Sequence, residues 1–421
     1  MPRRLSLPLQ IVLGFVAGTA WSLLQPVLGL EAFTTAWIAP LGTLFLNLLK
    51  LLALPLVVAS LLEGVAGVGS LARLSRLGGR TVAYYLASTV AAILVGIGVA
   101  SVVRPGTLAS VEQRERLQER YEQALAERRS VAEELQQKSP LQVVVEFVPE
   151  NFLASAQDNR RMLQVILATL LFGIALTTVP AERIAPLRQL LQALLAGLLA
   201  LVNIVMRMAP VGVFALMAGL RMDWSLLSAL GAYSLSVLLG LGLMLGLAYP
   251  LALRFLAGKS VRAFYRALFP AQVVAFSTSS SAATLPTTLH VCRHGLGIRD
   301  DIAGFVLPLG ATVNMDGTSL YQAVATLFIA QLYGIELGFG ALLALIAMAV
   351  AASVGAAPVP GAGIVMLVLI LQNLGLPQEG LALIVAVDRL LDMSRTVVNV
   401  TSDAVACVLV SAWERPRGEA A

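Results

Sequence analysis

Apolar residues fill 8–30, 36–69, 79–103, 162–180, 190–221 and 225–256 with few interruptions. Each stretch supplies the ~20 residues a helix needs to cross a bilayer, and several are long enough to tilt. After residue 260 the pattern changes. Two segments carry apolar arms around a small or polar tip, STSSSAATLP at 277–286 and SVGAAPVPGAG at 353–363. Gly and Pro at such tips leave backbone groups unpaired, which a bilayer permits only inside protein or beside a cavity, so each segment reads as a re-entrant hairpin. A long helix interrupted by polar residues is expected after each, first at NMDGT (314–318), then along DRLLDMSRTVVNVTSD (388–403). The hairpin and broken helix therefore recur as a unit, and loop charges invert the two copies about the membrane midplane, an arrangement that builds central binding sites. Residues 112–138 break the apolar pattern with alternating charges and with Leu117, Tyr121 and Leu125 at four-residue spacing, which predicts a surface amphipathic helix outside the membrane.

Composition fixes the class. At 58% hydrophobic and 13% charged residues, the 421-residue chain lies outside the range of soluble domains and reads as a polytopic membrane protein in the lipid bilayer. Its net charge of +5 sits in short connections: Arg3 and Arg4, then Arg73, Arg76 and Arg80, Arg183 and Arg188, Arg254, Lys259, Arg262 and Arg266, and finally Arg415 and Arg417. Basic residues so placed are topology signals that mark the cytoplasmic side, and they argue against nucleic-acid binding. Both termini are then cytoplasmic and the number of full crossings even. The first apolar stretch outruns a signal peptide's core and lacks a clear cleavage site, so it is expected to be the first transmembrane helix. Cys292 and Cys407 are too few for a disulfide framework and read as packing residues.

The most informative chemistry lies at 388–403. At ~100° per residue, Asp388, Asp392, Arg395, Asn399 and Asp403 share one narrow face. Charges at that depth are expensive and usually functional. Three aspartates against Arg389 and Arg395 leave one negative charge uncompensated, which points to a polar ligand bound with a cation. The alternative is a structural salt-bridge network. In NMDGT the glycine weakens the helix and frees carbonyls, while Asn and Asp add hard oxygens suited to alkali cations; a simple kink is the bland reading. The hydroxyls and N–H groups of 277–284 near a helix N-terminus suit a carboxylate, or else form a flexible loop. Tyr85, Ser88 and Thr89 are weaker candidates, since such hydroxyls often bond to their own helix.

In order and spacing, SSSAATLPTT, LPLGATVNMDGTSLYQ, GAAPVPGAG and VDRLLDMSRTVVNVTSD closely resemble the dicarboxylate/amino acid:cation symporter family, which includes the excitatory amino-acid transporters and archaeal aspartate transporters. The resemblance is strong over about 260–414, and the charged insertion lies outside it. It implies an all-α polytopic membrane protein with about eight transmembrane helices and two re-entrant hairpins, an elevator-type homotrimeric transporter in the cell (inner) membrane. Scaffold helices 1 and 2 would occupy 1–78, transport-domain helix 3 79–103, the extracellular or periplasmic insertion and start of helix 4 104–160, and scaffold helices 4 and 5 161–221. The rest of the transport domain would take 222–421, with helix 6, hairpins near 260–295 and 338–375, and helices near 301–333 and 379–414.

The same resemblance implies site roles. Arg395 would pair with the substrate's side-chain carboxylate and Asp392 with its α-ammonium. Thr318, Thr396 and Asn399 would complete the pocket, closed by backbone at Ser280, Ser281, Val359 and Gly363. Having both Asp392 and Arg395 favours aspartate or glutamate. One sodium site would use Asp403 with carbonyls of Gly310, Asn314 and Asn399. A second would use Tyr85, Ser88, Thr89, Asn314 and Asp316, and a third mainly carbonyls near Thr312, Ser353, Val354 and Ala356, with Met315 inside the ion-binding segment. Several sodium ions would be co-transported, with no organic cofactor. Departures from the family pattern are Gln322, where proton-coupled animal members carry glutamate, Pro358 and Ala356 near the second tip, the absence of an arginine before the serine run, and Met393 after Asp392.

A proton-coupled glutamate or C4-dicarboxylate symporter is the runner-up. A channel is a second class. An intramembrane serine hydrolase using Ser279–Ser281 with His290 or His294 is a third, which the absence of a G-x-S-x-G elbow disfavours.

Overall fold

The computed structural model describes residues 7–66, 78–115, 117, 148–157, 162–219, 224–356 and 361–414. Every regular element among them is helical. In chain order, the helices of ten residues or more are α1 (Leu7–Leu28), α2 (Ala39–Ala66), α3 (Gly79–Val103), α4 (Met162–Thr177), α5 (Ala181–Gly219) and α6 (Trp224–Leu243). The hairpin region follows as α7 (Val261–Thr278), α8 (Ser281–His290), α9 (Asp300–Val313) and α10 (Asp316–Leu332). The chain closes with α11 (Phe339–Gly355), α12 (Ala362–Asn373) and α13 (Leu381–Trp413). Of the 112–138 insertion, only 112–115 and 117 are described. Among the described residues, five helices are long and apolar enough to cross a membrane.

Differences from the apolar pattern have local causes. Helix α5 starts nine residues before its apolar run, because Glu182, Arg183 and Arg188 belong to an amphipathic turn that continues the helix into water. Helix α6 continues through wide turns at Met244–Ala248 and Ala252–Leu256, on either side of Pro250. In that register the Leu245 carbonyl would face Pro250, which has no N–H. The hydroxyl of Tyr265 donates to Leu245 instead, tying α6 to the first hairpin.

Two sets of helices pack together. Helix α5 lies along α2 and α1, with α4 on α2; α3 lies along α10, while α6 touches α3, α10 and α13. Only the first of the two expected helix breaks exists. Helix α9 ends at Val313 and α10 begins at Asp316, with Asn314 and Met315 out of helical geometry. Helix α13 instead runs unbroken from Leu381 to Trp413, so the expectation of a second broken helix is corrected. Its polar stripe contains no Gly or Pro, and side chains on one face pair without freeing backbone groups.

Where α10 crosses α13 the backbones touch. A Cβ on Gly317 would land on the carbonyl oxygen of Arg395 and 3.0 Å from its Cα. Gly317→Ala is expected to wedge the crossing apart and cost ~1–3 kcal/mol, read as a lower thermal unfolding midpoint of detergent-purified protein. An unchanged midpoint would show the crossing to be slack.

Candidate functional site

Helix α13 carries the stripe inward, with Asp388, Asp392, Arg395, Thr396, Asn399 and Asp403 all buried. Arg395 is the largest fully buried side chain among the described residues. Its Nη2 lies 2.8 Å from Asp392 Oδ1 and 3.0 Å from Asp388 Oδ1. The guanidinium stacks 3.7 Å above the ring of Tyr321, a cation–π contact from α10. Its Nε and Nη1 make no hydrogen bond within the described protein. A Cβ on Gly363 would come 3.1 Å from Nη1 and 3.3 Å from Thr318 Cγ2, so the unfilled edge of the fork faces the second hairpin and Thr318. A buried cationic donor without a partner is costly, and this one is shaped for a carboxylate.

The other Asp392 oxygen accepts from the backbone N–H of Gly361 at 3.3 Å and lies 3.7 Å from Arg389 Nη1. Thr396 spends its hydroxyl on the Asp392 carbonyl at 2.8 Å. Asn399 bridges to α10, accepting from Gly317 N–H at 2.8 Å and donating to Thr318 Oγ1 at 3.3 Å.

The break between α9 and α10 is held by Ser353 of α11, whose hydroxyl accepts from Met315 N–H at 2.9 Å and donates to the Val313 carbonyl at 3.1 Å. That satisfies backbone groups the break sets free. Asp316 then collects four hydroxyl donors. Ser88 and Thr89 of α3 reach Oδ1 at 3.2 and 3.1 Å, while Tyr249 and Ser402 reach Oδ2 at 2.9 and 2.6 Å. Asn314 Nδ2 donates to Ser402 Oγ and Asp403 Oδ1, both at 2.9 Å. Tyr85, grouped with Asp316 in the sequence reading, donates to the Val306 carbonyl at 2.8 Å. A Cβ on Gly310 would fall against Asp403 Oδ1 and 2.5 Å from the Tyr85 hydroxyl, so these three form one wall. The result is two carboxylates, Asp316 and Asp403, linked by Asn314 and Ser402 amid hydroxyls and carbonyls. Hard oxygens in this mixture suit a small alkali cation.

Other expected residues stand apart or fall outside view. Ser280 caps α8, accepting from Ala283 N–H at 3.2 Å, and Ser281 is buried in the first turn of that helix. The Thr312 hydroxyl donates to the Leu309 carbonyl at 2.9 Å. Val354 and Ala356 lie at the end of α11, while Val359 and Pro358 lie outside the described residues. Gln322 is fully buried, and neither amide atom has a hydrogen-bond partner in the described protein. The hydrolase reading finds no support in the geometry: His290 and His294 are exposed and stack on each other at 4.5 Å, while Ser280 is engaged as a helix cap.

Sequence reasoning did not identify Tyr249, Tyr321, Ser402 or Gly361. Ser402 could have been found, since it lies beside Asp403 in a buried helix. Tyr249 sits in an apolar run where nothing local distinguishes it from a core residue, and Tyr321 follows the NMDGT break, where the local sequence does not show which helix its ring faces.

A model described as the sodium:dicarboxylate symporter family matches residues 7–413. The chain is 34% identical over 415 residues to the proton/sodium-glutamate symport protein of Bacillus subtilis (strain 168), covering 96% of this chain and 91% of that protein. It is 34% identical over 424 residues to the proton/glutamate-aspartate symporter of Escherichia coli (strain K12), covering 98% and 93%. To excitatory amino acid transporter 3 of Oryctolagus cuniculus it is 33% identical over 440 residues, covering 95% and 83%.

Proposed function

We propose, from the premise that the chain belongs to the sodium:dicarboxylate symporter family, that it couples sodium to the uptake of acidic amino acids, aspartate or glutamate. Membership makes it a multi-pass membrane transporter and not an enzyme. The observation that carries the substrate reading is the unfilled edge of Arg395 beside Thr318 and Gly363, with the Asp392 carboxylate in the same cluster. A planar guanidinium takes the side-chain carboxylate bidentately, and Asp392 takes the α-ammonium. Neutral amino acids lack the first partner and C4-dicarboxylates the second.

Sodium is the coupling ion in this reading. Asp403 with Gly310, Asn314 and Tyr85 would take one ion, and Asp316 with Ser88, Thr89 and Asn314 another; carbonyls near Thr312, Ser353, Val354 and Ala356 would take a third. Cations and substrate anion neutralise one another, so each raises the other's affinity. Helices α3, α6, α9, α10 and α13 with both hairpins would form the moving domain of an elevator, against a scaffold of α1, α2, α4 and α5 in a homotrimer at the cell membrane.

Proton coupling is the second reading, favoured by the names of the bacterial relatives. Gln322 opposes it in part, because an amide cannot carry a proton as a carboxylate does. Titrating aspartate binding against sodium in purified protein decides between them. Binding is expected to tighten steeply with sodium, whereas binding unchanged when choline replaces sodium would remove sodium coupling.

A further inference from the structure

Arg389 has no role in the site as assigned above, yet it belongs to the same charge cluster. Its Nη1 lies 3.7 Å from Asp392 Oδ2, on the side of that carboxylate away from Arg395. The two guanidiniums differ in setting: the side chain of Arg395 is 0% exposed and that of Arg389 22%. Arg389 lines a narrow cleft where Ile11 of α1 and Ala209 of α5 meet Gly361 and Ile364 of the second hairpin. Its Nε is buried without a hydrogen bond.

The charges of this cluster balance. Asp388 and Asp392 carry two negative charges, Arg389 and Arg395 two positive, so with no substrate present the cluster is neutral. An arriving α-ammonium competes with Arg389 for Asp392, while the side-chain carboxylate that arrives with it takes Arg395. Arg395 is fully buried, whereas Arg389 is partly exposed where it borders the cleft.

Resting on the amino-acid symport reading, we infer that Arg389 is a positioning residue that stands in for the substrate's ammonium on Asp392 in the empty carrier. It offsets the one negative charge that Asp388 and Asp392 carry beyond Arg395 while the site is vacant, which lets the empty transport domain slide past α1 and α5 without burying that charge unbalanced. It swings toward the cleft when substrate binds. Asp392 thereby faces a cation besides Arg395 in both halves of the cycle.

Two assays on proteoliposomes separate this role from a structural one. Exchange of internal for external aspartate needs only the loaded carrier to cross, while net uptake also needs the empty carrier to return. Arg389→Gln is expected to bind aspartate about two- to fivefold more tightly, the range of a partly exposed ion pair. It should retain exchange, and its net uptake should fall several-fold. Arg389→Lys, which keeps the charge, should restore net uptake. Net uptake and exchange in Arg389→Gln that both match wild type, or that fall together, would overturn the inference. Should Arg389→Gln fail to fold, an Arg389→Lys protein with net uptake lost and exchange kept would overturn it equally. Wild-type protein that binds no aspartate in sodium would instead remove the functional reading beneath it.

Discussion

Arg395→Ala is expected to weaken aspartate and glutamate binding by at least about 30-fold, since truncating one partner of a buried charge pair costs ~2–5 kcal/mol. Two losses combine. The substrate loses the unfilled donor edge beside Thr318 and Gly363, and Asp388 and Asp392 lose the cation that lies 3.0 and 2.8 Å from them. The second loss also bears on folding, because breaking a buried pair leaves uncompensated charge at a cost of ~3–5 kcal/mol. Sodium-dependent binding of a neutral amino acid by the variant tells the two apart: a protein that gains serine or alanine while losing aspartate is folded and has lost only its clamp. Arg395→Lys should recover little, because an ammonium has neither the planar fork nor the stacking on Tyr321. Aspartate affinity unchanged in Arg395→Ala would remove the clamp.

Asp403→Asn should raise the sodium concentration for half-maximal aspartate binding by at least about tenfold, equivalent to ~1.4 kcal/mol. The substitution is nearly isosteric and leaves an oxygen to accept from Asn314 at its 2.9 Å distance, so the packing beside Gly310 and Tyr85 survives. What disappears is the charge proposed to face the cation. On the sodium-coupled reading the two ligands bind with reciprocal coupling, so aspartate affinity should fall at fixed sodium and recover as sodium is raised to saturation. A sodium midpoint equal to wild type would place the ion elsewhere, and a loss of affinity that saturating sodium does not repair would mean that Asp403 shapes the substrate pocket itself.

Much of this site could be anticipated from local pattern. The face shared by Asp388, Asp392, Arg395, Asn399 and Asp403 follows from helical periodicity, and all five are buried. The break at Asn314–Met315 follows from a glycine and two short polar side chains where the helix is weakest. By analogy, α13 was expected to break too, and it does not. A row of polar residues looks the same in sequence whether the backbone opens or stays wound, and only the first row contains a glycine.

The partners of these residues could not be anticipated, because they lie far along the chain. Asp316 is held by Ser88 and Thr89, 228 and 227 residues before it, by Tyr249, 67 before, and by Ser402, 86 after. Arg395 rests on Tyr321, and Asp392 accepts from Gly361 of the second hairpin. The sequence by itself determined the run lengths, the hairpin arms, the first helix break and the direction in which each charged side chain leaves its own helix, since these depend on backbone geometry and transfer energy over a few turns. Tertiary structure alone decided which helix faces each of those side chains, and hence that Arg395 is shared by two aspartates, that Arg389 borders a cleft, and that Tyr85 sides with Asp403. Those pairings depend on how helices cross, which the period of any one helix leaves open.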